Sequence, residues 1–387
     1  MESRKTSIGS RALRPIVTVL GIIVLMFVFN TITDGVFVSP RNFTMLLKQS
    51  SVLMILASTL MMLLIEKNID LSGGSGVYFT GTIVALLIVK ADWPIAPAIG
   101  VGIALGMLMG CAEGFFIGYL GLPAFIVTLA FQQVYRGTGY VLTNAATIGP
   151  MPKEFNNIAE AFVPSGWSIA LVVALYLLFV VISIMQARRL SSWGSGKGKL
   201  LTNLAIATVA CAVLIWMFIG YRGIPMCVVI AFVVALAMHF VSTKTVYGRH
   251  IYLIGGNIEA ARLAGVKTER RIFQSYVFEG LIYGIAGVVL CARLGGAAAT
   301  AGEGLELDAV AAACIGGTSM SGGTGSIVGL SLGVVILTMI DNIMSLMNVS
   351  SFLQMVAKGI ILLAAVCLDL YMNKQKYKFK LVNTKKK

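Results

Sequence analysis

The sequence is poor in the residues with which soluble proteins meet water and enzymes do chemistry. Charged residues fill 12% of its 387 positions, and only two histidines occur, His239 and His250. Hydrophobic residues fill 58%, and the mean hydropathy is +0.90. A soluble fold of this length could not cover so much apolar surface, so the chain reads as an all-α polytopic membrane protein. Two histidines argue against a histidine-built metal centre or proton relay. The six cysteines (Cys111, Cys211, Cys227, Cys291, Cys314, Cys367) fall in apolar stretches with no CxxC pair, so they read as small packing residues, neither a disulfide framework nor a metal site. There is no His-Glu-x-x-His, no Gly-x-Ser-x-Gly and no nucleotide loop. Gly-Ser-Gly-Lys-Gly-Lys at 194–199 lacks the glycine five residues ahead of either Gly-Lys pair. No enzyme and no directly bound cofactor are expected.

What is present is a succession of apolar runs, read as about 10–12 transmembrane segments, some broken or re-entrant. The net charge of +14 sits in the short loops and tails between them, where topology explains it better than nucleic acid does. Residues 1–14 read as a basic cytoplasmic N-terminus, 15–373 as the membrane domain and 374–387 as a basic cytoplasmic tail. Within the domain, 188–200 reads as a cytoplasmic linker and 244–271 as a cytoplasmic loop. A lead-in helix after Pro40 runs into the second span, which stops at a polar break, Glu66 to Ser75. That break reads either as an ordinary cytoplasmic turn or as irregular backbone lining a permeation path. Glycines 102, 106, 110, 114 and 118 repeat at period four, a stripe that lets a neighbouring helix backbone come close. Glu113 lies on the adjoining face, where a carboxylate is costly. It is protonated, paired, or near the cytoplasmic end. The loop 144–166 is either a contact for an extracytoplasmic partner or a solvated loop. Residues 303–317 read as a short buried or re-entrant helix, Asp341-Asn342 as the outer end of the next span, and Glu279 with Lys358 as an ion pair between two spans.

The longest polar interruption of the C-terminal half is Tyr247 to Val266. Leu253-Ile254-Gly255-Gly256-Asn257 reads as a tight turn whose glycines supply unusual backbone angles. Asn257 then caps a short helix over residues 258–263, and Gly265 stops it. Arg249, Arg262, Lys267, Arg270 and Arg271 place the segment in the cytoplasm. Gly255-Gly256-Asn257 followed by Glu259-Ala260-Ala261 and Gly265 is similar to the coupling loop of ABC importer permeases of the monosaccharide (ribose, galactose, xylose) family. Ile69-Asp70-Leu71-Ser72, Leu122 to Ala130 with Arg136-Gly137, and Glu306-Leu-Asp308-Ala-Val-Ala-Ala with Gly316 to Gly323 extend the resemblance over nearly the whole chain. The extra apolar pair around the linker resembles the D-xylose branch. Glu113 departs from it, because the family usually places Asn near there.

The resemblance implies a permease subunit of an ATP-driven sugar importer, for D-xylose by branch, working as a homodimer. Its partners would be a cytoplasmic ABC ATPase, which uses the ATP, and an extracytoplasmic sugar-binding protein. It implies ATPase contact for Gly255, Gly256, Asn257, Glu259, Ala260, Ala261 and Gly265. Asp70, Ser72, Glu113, Glu306, Asp308 and Asn342 are candidates for the path or its gates, with structural hydrogen bonding as the alternative for each. An ion-coupled secondary transporter or channel for a small polar solute is the rival reading, since broken helices, glycine stripes and buried acids also suit carriers.

Overall fold

A computed structural model describes residues 21–190 and 196–384. The expected N-terminal segment 1–14 and the centre of the 188–200 linker fall outside the described residues. The first described helix, α1, covers Gly21–Ile32. Helix α2 (Pro40–Ile65) starts with its proline in the first turn, where no N–H is needed, and Ser39 Oγ accepts from the Asn42 amide. Lead-in and span are one continuous helix, and its lower two-thirds are enclosed on all sides. It is the central post of the bundle, in contact with six other helices.

After α2 the chain turns back through residues 66–72 and starts α3 (Gly73–Val89). α4 (Ile95–Gly114) ends in a single π turn, Phe115–Tyr119, and α5 covers Ala124–Thr143. The 144–166 region contains α6 (Lys153–Glu160) and the strand Phe162–Val163, which pairs antiparallel with Ile224–Pro225. α7 (Ser165–Leu190), α8 (Gly196–Gly220) and α9 (Met226–Lys244) follow, then α10 (Val246–Gly256) and α11 (Ile258–Leu263). α12 (Thr268–Leu294), α13 (Leu305–Ile315), α14 (Ile327–Leu346) and α15 (Ser351–Thr384) complete the chain. Among the described residues six helices are long and apolar enough to cross a membrane, and four shorter apolar helices accompany them. That is the all-α polytopic architecture expected.

The glycine stripe of α4 does pack backbone to backbone. A Cβ on Gly106 would stand 2.3 Å from the Gly280 carbonyl oxygen of α12, and one on Gly110 2.1 Å from that of Tyr276. α12 answers with Gly280 and Gly284, which approach Gly106 and Ile103 equally closely. Neither helix could move in so far with side chains at those positions.

Two helices are half-length and begin inside the bundle. Ser72, just before α3, reaches Tyr283 in the middle of α12. The loop before α13 meets the start of α3, where a Cβ on Gly74 would lie 2.1 Å from the Gly302 carbonyl oxygen. From this meeting point α3 runs toward the end of the molecule that carries α6, and α13 toward the end that carries α11. Irregular backbone at such depth is tolerated because surrounding helices enclose it. The break therefore lies within the bundle and is more than a surface turn.

Candidate functional site

The α11 end presents a preformed protrusion. Thr245 Oγ1 accepts from the Gly248 amide and caps α10. Tyr252 donates to the Gly325 carbonyl, and the Tyr247 hydroxyl meets Ser275 Oγ at 2.7 Å, so α10 is tied to the bundle at two levels. Asn257 Oδ1 accepts from the Ala260 amide at 3.1 Å, the cap expected, and α11 covers the residues predicted for it. Gly265, at φ +80°, ends the turn in the left-handed region.

The glycines before the cap have a different role from the one expected. Gly255 and Gly256 are helical and neither has a positive φ. Gly255 is needed for close approach instead, since a Cβ there would lie 1.6 Å from the Ile65 carbonyl oxygen and 2.7 Å from the Gly323 amide nitrogen. Nothing lies within 4 Å of a Cβ on Gly256. The small face also divides. Ala261 packs inward on Ile254 and Val266, while Ala260 and Ala264 face outward. Glu259 is exposed and meets Arg262, which also bonds Glu269 and Thr268. Such exposed pairs add little stability but fix the orientation of the arginine.

The residue that sequence reasoning missed here is Leu263, 90% exposed at the tip of α11, with Leu253 and Ile258 exposed beside it. The three form a small exposed apolar patch at this end. Beside it a cleft of about 460 Å³ runs between α11, the start of α12 and the α4–α5 turn, lined by Lys67, Pro123, Ile258 and Arg262. Partial desolvation and the charges of Arg271 and Arg249 hold the His250 imidazole below its usual range. At neutral pH this surface therefore takes its positive charge from arginine and lysine.

The membrane-depth candidates separate into groups. Asp70, Ser72 and Glu113 come together, each fully buried, around Tyr283. The Tyr283 hydroxyl donates to Asp70 in a short bond and lies 3.2 Å from Glu113 Oε2. Ser72 Oγ is 2.7 Å from Glu113 Oε1 and 2.8 Å from Asp70 Oδ1, and the Ser72 amide also donates to Asp70. Glu113 thus meets two hydroxyls and no cation among the described residues, and the knot ties the start of α3 to α4 and α12. Its tyrosine was not singled out from sequence, because a tyrosine in an apolar run carries no mark of its partner.

Glu306, Asp308 and Asn342 sit elsewhere. Glu306, in the first turn of α13, is bonded by Gln132 Nε2 at 3.2 Å, and its other oxygen faces Gly74 at the α3 start. A carboxylate between two helix N-termini is favourably placed. Arg136 stands close by, donating to the carbonyls of Ala299 and Ala301 and to Ser75 Oγ, with its guanidinium 4.5 Å from the Tyr78 ring centroid. The sequence gives Arg136 only as part of a family motif, and its partners emerge only from the fold. Asn342 exchanges hydrogen bonds with Asn42 at 2.8 and 3.1 Å.

The expected Glu279–Lys358 pair does not form. Lys358 binds Asp308 at 2.7 Å and Asp341 at 3.0 Å, because α15 packs on α13 and its lysine faces the acids of α13 and α14. Glu279 is buried beside Thr59 with neither oxygen in hydrogen-bonding geometry. Nor do Asp341 and Asn342 end their span, since α14 continues to Leu346.

Comparison with known proteins accords with this architecture. The family model described as "Branched-chain amino acid transport system / permease component" matches residues 42–366. The xylose transport system permease protein of Escherichia coli K12 is 36% identical over 368 residues, 94% of this chain and 93% of that protein. Its namesake in Haemophilus influenzae is 37% identical over 356 residues, 91% of this chain and 95% of that one. The ribose import permease protein of Escherichia coli K12 is 31% identical over 91% of this chain and 92% of its own. No solved structure matches the chain. With a family match across most of its length and relatives of this identity over both full chains, this multi-pass membrane protein belongs to the permease-component family of the branched-chain amino acid transport type, as a transport component and not an enzyme.

Proposed function

We propose that the chain is the membrane subunit of an ATP-driven monosaccharide importer and that its sugar is D-xylose. The observation that carries this is the likeness to two permeases named for xylose, at 36% and 37% identity over at least nine-tenths of each chain. Permeases named for ribose and D-allose are similar at 31% and 28%. The family description names amino acids, whereas these relatives are named for sugars.

In this reading the α11 end faces the cytoplasm, as do both termini. The arginines and lysines of 244–271 favour that side. A cytoplasmic ATPase docks on α11, with Gly256, Asn257, Glu259 and Ala260 at or beside the contact. Gly255, Ala261 and Gly265 hold its shape. Leu263 enters a pocket on the partner. The α6 end faces outward and receives an extracytoplasmic sugar-binding protein. Two copies of the chain work together, and ATP-driven closure of the ATPase rocks them about the sugar path. Glu306 and Asp308 are gate or path residues at and beside the meeting of α3 and α13, and Asn342 is one where α14 meets the start of α2. Asp70, Ser72 and Glu113 form the closed knot behind it.

The test is uptake of labelled D-xylose into vesicles holding the permease, ATPase, binding protein and ATP, with each left out in turn. Uptake that needs every component supports the importer. Uptake by the permease alone that follows an ion gradient would instead make it a secondary carrier.

A further inference from the structure

Near the α6 end a cleft of about 310 Å³ opens between α2, the end of α12, the loop before α13, and α14. It is separate from the α11 surface, and of its lining residues only Asp308 is among the path candidates. Its volume is at the lower limit of small-molecule sites, roughly 300–1,000 Å³. One floor is apolar, made by Val52, Leu53 and Leu290, and the opposite wall is polar. We propose that this cleft is a monosaccharide site within the permease itself, taking one uncharged polyhydroxylated sugar in transit. The assignment rests on the importer reading above.

The chemistry of the walls selects the ligand class. The amide of Gln49, the hydroxyl of Thr300 and the carboxylate of Glu303 face the cleft and are exposed without a protein partner. Asp341 gives one oxygen to Lys358, and its other oxygen, Oδ1, is enclosed without a partner. Sugar hydroxyls donate to carboxylates and accept from amides, and a pentose ring presents C–H groups to an apolar floor.

Charge disfavours the alternatives. Glu303, Asp308 and Asp341 stand against Arg293 and Lys358, so the walls and the lysine behind them sum to one negative charge. A sugar phosphate or sugar acid meets net repulsion. An inorganic cation wants several free carboxylates, yet Lys358 already occupies Asp308 and half of Asp341.

The cleft also connects with the interior. The strap carrying Thr300 and Glu303 offers the carbonyls of Ala299 and Ala301 to Arg136.

The experiment is saturation-transfer NMR of D-xylose with the full-length permease in nanodiscs, without ATPase or binding protein, alongside uptake by the complete vesicle system. Thr300→Trp and Ser345→Trp fill the cleft from opposite walls at exposed positions, and Glu303→Gln removes an acceptor charge. Retained ATPase binding reports that each variant is folded. Wild type should transfer saturation to D-xylose, and D-xylonate should not compete. Both tryptophan variants should lose the transfer by filling the cleft, and Glu303→Gln should bind about tenfold more weakly, as the loss of a charge-assisted hydrogen bond implies. Absence of transfer in wild type, or unchanged transfer in the folded tryptophan variants, overturns the site even while the complete system imports xylose. Absence of xylose uptake by the complete wild-type system overturns the importer reading, and the sugar assignment of the cleft with it.

Discussion

Single atoms decide how the α11 end is held. The Gly255 Cα faces the Ile65 carbonyl so closely that any side chain would force α10 off α2. The neighbouring Gly256 has open space and the same helical backbone. Gly255→Ala should therefore lower stability by about 1–3 kcal/mol through overpacking. Gly256→Ala should be neutral or raise stability by about 0.4–1 kcal/mol, because alanine restricts the unfolded chain. Thermal unfolding of the two variants in detergent distinguishes them, and equal midpoints would mean that the α10–α2 contact is not tight. Asn257→Ala should cost about 1 kcal/mol through the lost cap. The cap was legible because Asn before a short helix has one common use. The role of Gly255 was not, because two adjacent glycines look the same whether they bend a turn or admit a distant carbonyl.

Between elements, the α4–α12 seam and the acids around Lys358 show what pattern can and cannot reveal. Glycine at period four announces a close helix contact, though not its partner. The partner became visible only when Gly280 and Gly284 faced the stripe. Gly106→Leu should separate the helices and prevent recovery of folded protein. Gly100→Leu, on the open face of the same helix, should be tolerated. Comparing monodisperse yield of the two in detergent checks the seam, and equal yields would contradict it. Spans and breaks were read well because length and apolar content are local properties. Ion pairs were not, since Lys358 lies 50 residues from Asp308 and only the packing of α15 on α13 brings them together. Lys358→Met should destabilise the α13–α15 contact by leaving two acids unpaired, by less than a fully buried pair would because the lysine is about a third exposed. Adding Asp308→Asn should restore part of the loss in the same unfolding assay.

At the scale of the whole molecule, an importer requires that work done on one end reach the middle. α10 is tied to α2 at Gly255, to the 316–325 turn through Tyr252, and to α12 through Tyr247. α12 carries Tyr283, which holds the break between α2 and α3. A push on α11 therefore meets elements that continue to the knot, although a route of contacts is not by itself evidence of coupling. What the motif reading anticipated was the position of α11; the exposure of Leu263 is in no signature and emerges only from the structure. Burying a leucine in a partner is worth about 1.5–3 kcal/mol, so Leu263→Asp should weaken ATPase docking by about 10- to 100-fold. Because Leu263 has almost no contact with its own chain, the variant should unfold at the wild-type temperature. Uptake in the complete vesicle system should fall with docking and recover in part when the ATPase concentration is raised. Wild-type uptake by Leu263→Asp at limiting ATPase would remove α11 as the docking element. Lost uptake with undiminished docking would instead mean that Leu263 transmits the stroke without anchoring the partner.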